Sequence, residues 1–323
     1  MVTVLMPVRD TPPAMLRQAA ESILGQSFGA FEFLILDDGS RNGDTVRELE
    51  RQAAADARVR LLATGGVGVT KALNRGLELA SGEFIARQDA DDWSDPGRLE
   101  IQCGFLQAHP ELALCGSNAW MHRGDGRPLW PTRLPEDTAG IRDAFWRRNP
   151  FVHGAAMFRT NAARAAGGYR EEFPCAQDYD FFWRLSDTYG AANLRRALYH
   201  YRYSSGSVSV RRAEDQARAH RAAQILARER RARSSREDSH QDTQREVRRA
   251  LAAAAAELES SGGALRAALK QADHRMLAGD LRGAGGVFLG LLKAHPGSGL
   301  AWGKLARWAV FSALPPVRET CFR

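Results

Sequence analysis

The first 90 residues alternate short apolar runs with segments of helical periodicity, and no other feature of the sequence constrains the fold as strongly. The apolar runs predict strands at 2–6, 31–36, 59–62 and 84–86. The segments between them predict helices at 14–24, 45–55 and 69–80. Strands that alternate with helices in this way predict an α/β domain with a Rossmann-like, mostly parallel sheet flanked by helices.

Acidic and turn-forming residues follow three of the four predicted strands. The three segments are Pro7-Val8-Arg9-Asp10, Asp37-Asp38-Gly39-Ser40 and Asp89-Ala90-Asp91-Asp92. Ligands of an open parallel sheet bind beyond the carboxyl ends of its strands, so the sequence predicts a ligand site there. Acids and glycines are also common in turns and helix caps, which is an equally good explanation for any one segment. Five acids on two neighbouring strand ends are harder to explain by turns alone.

The spacing of Asp89 and Asp91 has a specific chemical meaning. Two carboxylates one residue apart at a strand end can converge on one divalent cation. Mg²⁺ and Mn²⁺ prefer oxygen ligands and often bridge one or two carboxylates to a substrate diphosphate. A metal in that position would neutralise the diphosphate as it departs. The sequence therefore predicts Mn²⁺ or Mg²⁺ as a cofactor, with Asp89 and Asp91 as ligands.

The pattern is less regular beyond the first 96 residues. The sequence predicts a helix at 97–109, a strand at 112–115 and a loop at 122–150, where Pro, Arg and Trp are frequent. Two compact apolar and aromatic blocks follow, at 151–158 and 179–185.

The last third of the chain differs in composition and in charge. Residues 211–260 are rich in Ala, Arg, Glu and Gln and predict a basic linker that is exposed helix or partly disordered, whereas 261–323 predict a small helical region. From residue 211 onward there are 21 Lys and Arg against 12 Asp and Glu, while residues 1–210 carry 24 against 26. This basic excess predicts contact with an anionic membrane surface or an acidic partner. The arginines between 228 and 233 are more simply a solvated helical face, so nucleic acid is not expected as a partner.

The sequence also gives an expectation about location. No uninterrupted apolar stretch reaches the roughly 18–20 residues that cross a bilayer. The first seven residues lack the pattern of a signal peptide, and the four cysteines show no C-x-x-C spacing. We expect a cytoplasmic protein with reduced thiols, peripheral at most at the inner face of the cell membrane.

Several motifs of the chain occur in a fixed order that resembles glycosyltransferase family 2. The donor-side motifs are the two strand ends at 7–10 and 37–40, the run from Gly68 to Gly76, and the segment 86–92. Segments 149–154, 167–169 and 177–181 resemble the family's acceptor-side blocks, and 201–202 with 207–209 resemble its closing motif. Each motif alone is weak, but the ordered set is specific and covers about residues 1–210. The resemblance implies a GT-A fold with a helical C-terminal appendage.

The resemblance implies a nucleotide-sugar site at named positions. The base and ribose would lie against Pro7, Val8 and Asp10, and the pair Asp37 and Asp38 would read the base or ribose. The nucleotide sugar would further contact Lys71, Asn74, Asp89 and Ala90. Asp91 would be the more direct metal ligand, with Asp89 beside the ribose and diphosphate.

The resemblance also implies an acceptor site and a catalytic base. The acceptor would contact His153, Gly154 and Gln177. Asp178 matches the family's base, which would take the proton of the acceptor hydroxyl as that oxygen attacks the anomeric carbon with inversion. A histidine among apolar residues is explained equally well as a core residue, so both interpretations of His153 stay open.

Two positions depart from the family pattern. Gln177 stands where a glutamate usually precedes the base, and the loss of that like charge favours a lower pKa for Asp178. Ser204 stands where the family often has a histidine near the metal. A hydroxyl is a poorer ligand than an imidazole, which leaves metal dependence open.

The sequence therefore predicts a glycosyltransferase domain at 1–210, a helical linker at 211–260 and a small helical region at 261–323. The reaction would be inverting transfer of a sugar from a nucleoside diphosphate, most often uridine diphosphate in this family. The acceptor would be a cell-envelope glycan or its lipid-linked precursor. One alternative is a nucleotidyltransferase, although a basic glycine-rich loop does not follow the first strand. The other is a catalytically inactive sugar-nucleotide sensor or adaptor, to which Gln177 and Ser204 would point.

Overall fold

The computed structural model of the protein describes residues 1–203, 212–232, 240–260 and 263–313. The first part alternates strands and helices as the sequence predicts, and every bound lies within two residues of its prediction. The elements are β1 (Val2–Val8), α1 (Pro13–Leu24), β2 (Phe31–Asp37), α2 (Gly43–Ala55), β3 (Val59–Ala63), α3 (Val69–Leu79) and β4 (Phe84–Arg87).

The middle of the chain is more regular than its sequence suggests. Its elements are β5 (Trp93–Ser94), α4 (Arg98–Ala108), β6 (Leu114–His122), β7 (Pro128–Pro131), α5 (Thr138–Ala144), a 3-10 turn (His153–Ala155), β8 (Met157–Arg159), α6 (Thr160–Ala165), α7 (Gln177–Tyr189) and β9 (Ala191–Arg202). The prediction of loop over 122–150 is wrong for β7 and α5. Strand β7 exists because it pairs with β6, a contact that local sequence does not reveal. Helix α5 begins where the Asp137 side chain accepts the Gly140 N–H at 2.7 Å.

The strands form one mixed sheet in the order β3-β2-β1-β4-β8-β6-β9-β5. Strand β7 lies outside this order and pairs with β6. Strands β1 to β4 pair in parallel, and β4 pairs antiparallel with β8. Val8 lies beside Asp37, and Leu5 lies beside Arg87. The ends of β1, β2 and β4 therefore meet at one edge of the sheet, which confirms the predicted α/β arrangement and the edge at which a ligand site was expected.

Pro7 lies inside β1, whereas the sequence suggested that the strand stops before it. The pairing of β1 with β4 ends at Leu5 and Arg87, so at Pro7 the strand is paired only with β2. A proline, which has no N–H to donate, is accommodated where a strand has one free side.

The core lies on both faces of this sheet. One face packs against α1 and α4 around Phe33 and Leu99, and the other packs against α3 and α7 around Phe158 and Trp183. All four of these side chains are buried. Burial on both faces holds the edge that carries the strand-end acids in a fixed position.

Among the described residues after the sheet domain, the helices are α8 (Ala213–Ala232), α9 (His240–Ser260), α10 (Gly263–Leu277), α11 (Leu281–Ala294) and α12 (Gly299–Ala313). Helices α8 and α9 pack against the sheet domain, since Leu226 and Val247 are buried in the same core as α7. Composition alone suggested exposed helix here. An alanine-rich face can bury closely against a neighbouring helix, and composition does not show which face does so. Helices α10 to α12 form a separate small core around Phe288.

None of the described helices is both long enough and apolar enough to cross a membrane.

Candidate active site

The end of β1 is fastened to the loop that follows β2. Asp10 has a backbone φ of 49°, in the left-handed region. Its Oδ1 accepts the backbone N–H groups of Arg41 and Asn42 at 2.6 and 2.8 Å. These two hydrogen bonds lower the pKa of Asp10 below its usual value, and the one from Asn42 has the larger effect. Asp10 is therefore ionised at neutral pH and orders the loop beside the end of β1.

Asp37 and Asp38 end the neighbouring strand and differ in their surroundings. The Asp37 side chain accepts the N–H of Ser40 at 2.9 Å, which is a tight turn contact. Asp38 is almost fully buried and accepts the N–H of Gly68 and the hydroxyl of Thr64, both at 3.0 Å. The predicted nucleotide residues thus lie together, since Pro7 and Val8 pair with the strand that Asp37 ends.

Helix α3 carries two further predicted donor residues, which have different partners. Asn74 uses both ends of its amide on one residue: Nδ2 donates to the Tyr169 carbonyl at 2.8 Å, and Oδ1 accepts the Tyr169 N–H at 2.9 Å. Lys71 is exposed, and its Nζ lies 4.0 Å from Glu171. The observed role of Asn74 is to fasten α3 to the segment around Tyr169. Contact of either side chain with a nucleotide stays a prediction.

Arg87 connects the donor-side acids with the acceptor-side block. Its guanidinium is fully buried at the end of β4. One nitrogen donates to Asp89 Oδ1 at 2.6 Å, and Nε donates to His153 Nε2 at 3.1 Å. A third hydrogen bond of 2.6 Å to the Leu5 carbonyl holds it in place. A buried guanidinium of this kind needs such partners, and here they fix Asp89 and His153 relative to one another.

The carboxylates after β4 carry more negative charge than their surroundings balance. Burial, together with the neighbouring charge of Asp89, raises the pKa of Asp91 to about 6. Asp92 is buried, and burial with the charges of Asp91 and Asp89 raises its pKa as well. Its Oδ1 accepts the N–H of Arg202 at 2.7 Å, while its buried Oδ2 has no hydrogen-bond partner among the described residues.

This set of oxygen donors fits a divalent cation. Burial and the charge of Asp89 raise the pKa of Asp91, and a cation beside the two carboxylates would stabilise the charged form of Asp91. Within the described ranges no group of three or more His, Cys, Asp or Glu side chains is arranged to hold a metal. One or two carboxylates with the remaining ligands from a diphosphate and water is the usual arrangement for Mg²⁺. These residues therefore suit a metal that binds together with a substrate.

His153 is fixed in one protonation state by its neighbours. Nε2 lies 3.1 Å from both Arg87 Nε and the Tyr169 hydroxyl. A guanidinium can only donate, so Nε2 is an acceptor and the ring proton of neutral His153 is on Nδ1. Burial, with the Arg87 charge, holds the pKa of His153 well below its usual value. The geometry favours a neutral hydrogen-bonding histidine over a general base.

Gly154 lies where no side chain would fit. A Cβ at this position would lie 1.9 Å from the Tyr199 hydroxyl and 2.9 Å from Asp89 Oδ2. The Tyr199 hydroxyl in turn accepts the backbone N–H of Asp89 at 3.1 Å. The glycine thus allows the acceptor-side turn to lie directly against Asp89.

Asp178 lies in the first turn of α7 and close to this group. Its Oδ2 accepts a hydrogen bond of 2.8 Å from Asn149 Nδ2. Burial raises the pKa of Asp178 to about 6, and the charge of Asp89 adds to that shift. Gln177, the first residue of α7, is buried beside it. A carboxylate with a pKa near neutrality is suited to accept a proton.

Asp180 has the opposite electrostatic environment two residues further on. It is buried and pairs with Arg170 at 3.2 Å and with Arg184 at 2.9 Å. Burial alone would raise the pKa of Asp180, but the charges of Arg184 and Arg170 lower it to about 2. Asp180 is therefore a permanently ionised structural residue, and Asp178 is the acid of this helix that can exchange a proton.

The sequence motifs imply no role for three residues that organise this site: Arg87, Asn149 and Tyr199. Tyr199 contacts Asp89 and Asn149 contacts Asp178, in each case across at least 29 positions of the sequence. Arg87 contacts the nearby Asp89 and also His153, which is 66 positions away. Local spacing cannot reveal such contacts. Arg87 did leave one signal, since an arginine closing an apolar strand is uncommon without buried partners. Ser204 lies outside the described residues.

Comparison with known proteins agrees with this geometry. Residues 3–167 match the family described as Glycosyl transferase family 2. The amylovoran biosynthesis glycosyltransferase AmsE of Erwinia amylovora is 30% identical over 201 residues, which cover 62% of this chain and 75% of that protein. Two other relatives are much longer, and this chain spans 23% and 16% of their lengths.

Two solved structures share the fold at low sequence identity. S. aureus TarS 1–349 in complex with UDP-GlcNAc is 17% identical with a TM-score of 0.57, over 95% of this chain and 88% of that one. The mannosyltransferase PcManGT from Pyrobaculum calidifontis, in complex with GDP-Man and Mn²⁺, is 18% identical with a TM-score of 0.54, over 97% and 80%. The fold is thus that of GT-A glycosyltransferases, as the sequence motifs implied.

Proposed function

The chain belongs to glycosyl transferase family 2, and from this premise we propose that it transfers a sugar from a nucleoside-diphosphate donor to an acceptor hydroxyl with inversion. The observation that carries the proposal is the position of Asp178. It is a carboxylate with a pKa of about 6 that accepts a hydrogen bond from Asn149 and lies close enough to Asp89 to feel its charge. A proton acceptor and a diphosphate-binding site in one cleft are what this reaction needs.

The donor would lie along the strand ends. We assign the base and ribose to Pro7, Val8, Asp10, Asp37 and Asp38, which lie together at the carboxyl ends of β1 and β2. Asp10 and Asp37 already hold the turn that follows β2, so the pocket wall is formed before a ligand binds. Lys71 and Ala90 would contact the diphosphate side of the donor.

Uridine diphosphate is the proposed nucleotide. The solved complexes of TarS contain UDP and UDP-GlcNAc, while that of PcManGT contains GDP-Man. The TarS complexes support a uridine nucleotide as the donor. A comparison of UDP-sugars with GDP-mannose tests this proposal.

Asp91 and Asp89 would hold the proposed Mn²⁺ or Mg²⁺. When bound, the cation supplies Lewis-acid stabilisation of the departing diphosphate. Support comes from the burial and the neighbouring Asp89 charge that raise the pKa of Asp91, and from the Mn²⁺ in the PcManGT complex.

Asp178 would act as the base in a single displacement. The acceptor oxygen forms a bond to the anomeric carbon while the bond from that carbon to the diphosphate oxygen breaks. Asp178 takes the hydroxyl proton, and the nucleoside diphosphate leaves with the bonding electrons. Attack on the face opposite the leaving group inverts the anomeric centre. His153, neutral with its proton on Nδ1, and Gln177 would donate hydrogen bonds to the acceptor.

We propose residues 1–210 as the catalytic domain, 211–260 as a helical segment joined to it and 261–323 as a small helical region. Leu226 of α8 and Val247 of α9 support this, since both are buried in the core of the catalytic domain. Helix α10 also lies within electrostatic reach of the base: burial lowers the pKa of Lys270, and the charge of Asp178 opposes that shift. The C-terminal helices would thus border the acceptor site.

The acceptor is proposed to be a cell-envelope polysaccharide or its lipid-linked precursor. The name of AmsE, which refers to amylovoran biosynthesis, supports a polysaccharide. The basic excess after residue 210 would attract an anionic membrane surface, where lipid-linked acceptors are found, on the cytoplasmic side.

The test is a donor screen. The protein is incubated with UDP-glucose, UDP-GlcNAc, UDP-galactose and GDP-mannose in Mn²⁺, and release of the nucleoside diphosphate is measured with and without candidate glycan acceptors. The Asp178→Asn variant is the control. Release from a UDP-sugar by wild type, and its loss in the variant, is expected. Donor binding without release from any of them would contradict transfer and favour a sugar-nucleotide sensor.

A further inference from the structure

A basic cavity lies beside the loop that carries Asn149. Its volume is about 610 Å³. The residues that line it come from the loop before α5, from α5 itself and from the turn that follows: Arg133, Leu134, Pro135, Gly140, Asp143, Ala144, Arg147 and Arg148. We propose that this cavity binds a phosphate group carried by the acceptor. The proposal rests on the proposed function and adds to it the chemical class of the acceptor.

The charges in the cavity are not balanced by the protein. Asp143 is its one acidic lining residue and forms an ion pair with Arg147. Arg133 and Arg148 are exposed, and no acidic side chain of the described residues forms an ion pair with either of them. These two arginines thus line the cavity, and their charge is available to a ligand. The planar fork of arginine matches the oxygens of a phosphate in a bidentate way.

The cavity is structurally joined to the catalytic base. Arg148 immediately precedes Asn149, whose amide donates to Asp178 at 2.8 Å. On the other side of Asn149, the Pro150 carbonyl accepts a 3.0 Å hydrogen bond from Asn193 Nδ2. The same nitrogen donates to the Pro135 carbonyl at 2.9 Å. One amide therefore joins Pro135, which lines the cavity, to Pro150, which follows the residue that holds the base.

This position identifies which substrate would use the cavity. The donor's diphosphate is already assigned to the Asp89–Asp91 side, whereas Asn149 and Asp178 face the acceptor. A cavity of about 610 Å³ has room for a phosphate or diphosphate together with the group that carries it. The charge of a phosphate monoester or diphosphate equals that of the two unpaired arginines. An acceptor whose reacting hydroxyl lies near such a group would be held with that hydroxyl at Asp178.

The experiment measures binding by calorimetry in Mg²⁺ with the donor site filled by excess UDP. The probes are farnesyl diphosphate, inorganic pyrophosphate and farnesol, which lacks phosphate. Wild type is compared with Arg133→Gln/Arg148→Gln, with Arg133→Lys/Arg148→Lys, and with Arg60→Gln. Arg60 is an exposed arginine on β3 paired with Glu32, so its variant controls for the loss of a surface charge.

Wild type should bind both phosphate probes and not farnesol. The glutamine variant should bind them at least about 10-fold more weakly, as expected for loss of a charged hydrogen bond. The lysine variant, which keeps charge but loses the fork, should be intermediate, and Arg60→Gln should match wild type. Tighter binding of farnesyl diphosphate than of pyrophosphate assigns the phosphate to a lipid carrier, and equal binding assigns it to a phosphate-bearing glycan.

Equal affinity of wild type and both double variants for the phosphate probes would overturn the proposal. If the glutamine variant does not fold, the affinity of the lysine variant for the phosphate probes still tests the proposal. Titration of wild type with UDP alone separates the two proposals. Absence of UDP binding contradicts the proposed function, while loss of phosphate binding in the arginine variants can still be measured without UDP.

Discussion

Asn149 Nδ2 donates a 2.8 Å hydrogen bond to Asp178 Oδ2, while its Oδ1 accepts the N–H of Phe151 at 3.1 Å. The two ends of one amide thus fix both the loop and the base. Asn149→Asp keeps the acceptor for Phe151 but replaces the donor with a second carboxylate. Repulsion between two carboxylates raises the pKa of one of them. We expect the acidic limb of the transfer rate to move to higher pH in single-turnover assays, with little change in donor affinity. If the acidic limb of the pH–rate profile does not move, Asn149 does not position the base.

Asp178 and Asp180 should respond oppositely to the same substitution. Asp178→Asn removes the proposed base, so transfer should fall at least about 10²-fold, the low end for a positioned general base. Donor affinity should be nearly unchanged. Asp180→Asn leaves Arg184 without its buried partner and should lower the free energy of unfolding by about 3–5 kcal/mol. Single-turnover transfer and thermal unfolding of both variants check this. A dead Asp180→Asn enzyme beside an active Asp178→Asn enzyme would mean that the base is misassigned.

The pH dependence of transfer follows from the raised pKa of Asp178. The base works only when ionised, so the rate should rise with pH through about 6 and level off above it. The groups that act on this carboxylate, or feel its charge, are Arg87, Asp89, Tyr169, Cys175 and Lys270. The measurement is the single-turnover rate from pH 5 to 8. A rate already constant at about pH 5 would show a base with an ordinary carboxyl pKa.

The contribution of Asp178 to folding stability should fall as pH rises, whereas the transfer rate should increase. Because the folded pKa of Asp178 lies above its unfolded value, the folded protein binds this proton more tightly. The contribution of Asp178 to stability is therefore full below about pH 4 and is lost as pH rises through about 6. Asp178→Asn should consequently have a higher Tm than wild type at pH 7 and a similar Tm at pH 4. A lower Tm at pH 7 would show that the charge is stabilised in the fold.

The sequence predicted the first 90 residues well because their strands and helices are specified by local apolar periodicity. It also placed Asp10, Asp38 and Asp89 at one edge, since parallel strands bring their ends together. It could not predict β7 or the length of β6, because pairing with β9 and with β7 across the sheet sets those bounds. The link of Arg87 to His153 spans 66 residues and has no local signature. Contacts of this kind depend on the assembled sheet.

Gly154 should tolerate no side chain, because an added Cβ would lie 1.9 Å from the Tyr199 hydroxyl. We expect Gly154→Ala to lose most transfer and to be destabilised by about 1–3 kcal/mol, the usual effect of overpacking. Gly104→Ala is the matched control, since a Cβ there has no atom within 4 Å and Gly104 lies inside a helix. Tyr199→Phe should not restore the Gly154→Ala protein, because the ring Cζ would still lie 2.3 Å from the added Cβ. Transfer rates and unfolding curves of Gly154→Ala, Gly104→Ala and the Gly154→Ala/Tyr199→Phe double variant test this, and a fully active Gly154→Ala enzyme would contradict it.

Asp91 should be required for metal-dependent donor binding and not for folding. Its pKa is raised to about 6 by burial and by Asp89, so its charge is unfavourable in the folded protein without a cation. Asp91→Ala should therefore fold with at least the stability of wild type while losing most turnover. Calorimetric titration with UDP, with and without Mn²⁺, should show that Mn²⁺ strengthens binding to wild type but not to Asp91→Ala. Glu78→Ala removes an exposed acid of α3 and should behave as wild type. If Mn²⁺ strengthens UDP binding equally in wild type and in Asp91→Ala, the cation is held elsewhere, and the role given to the carboxylates after β4 is wrong.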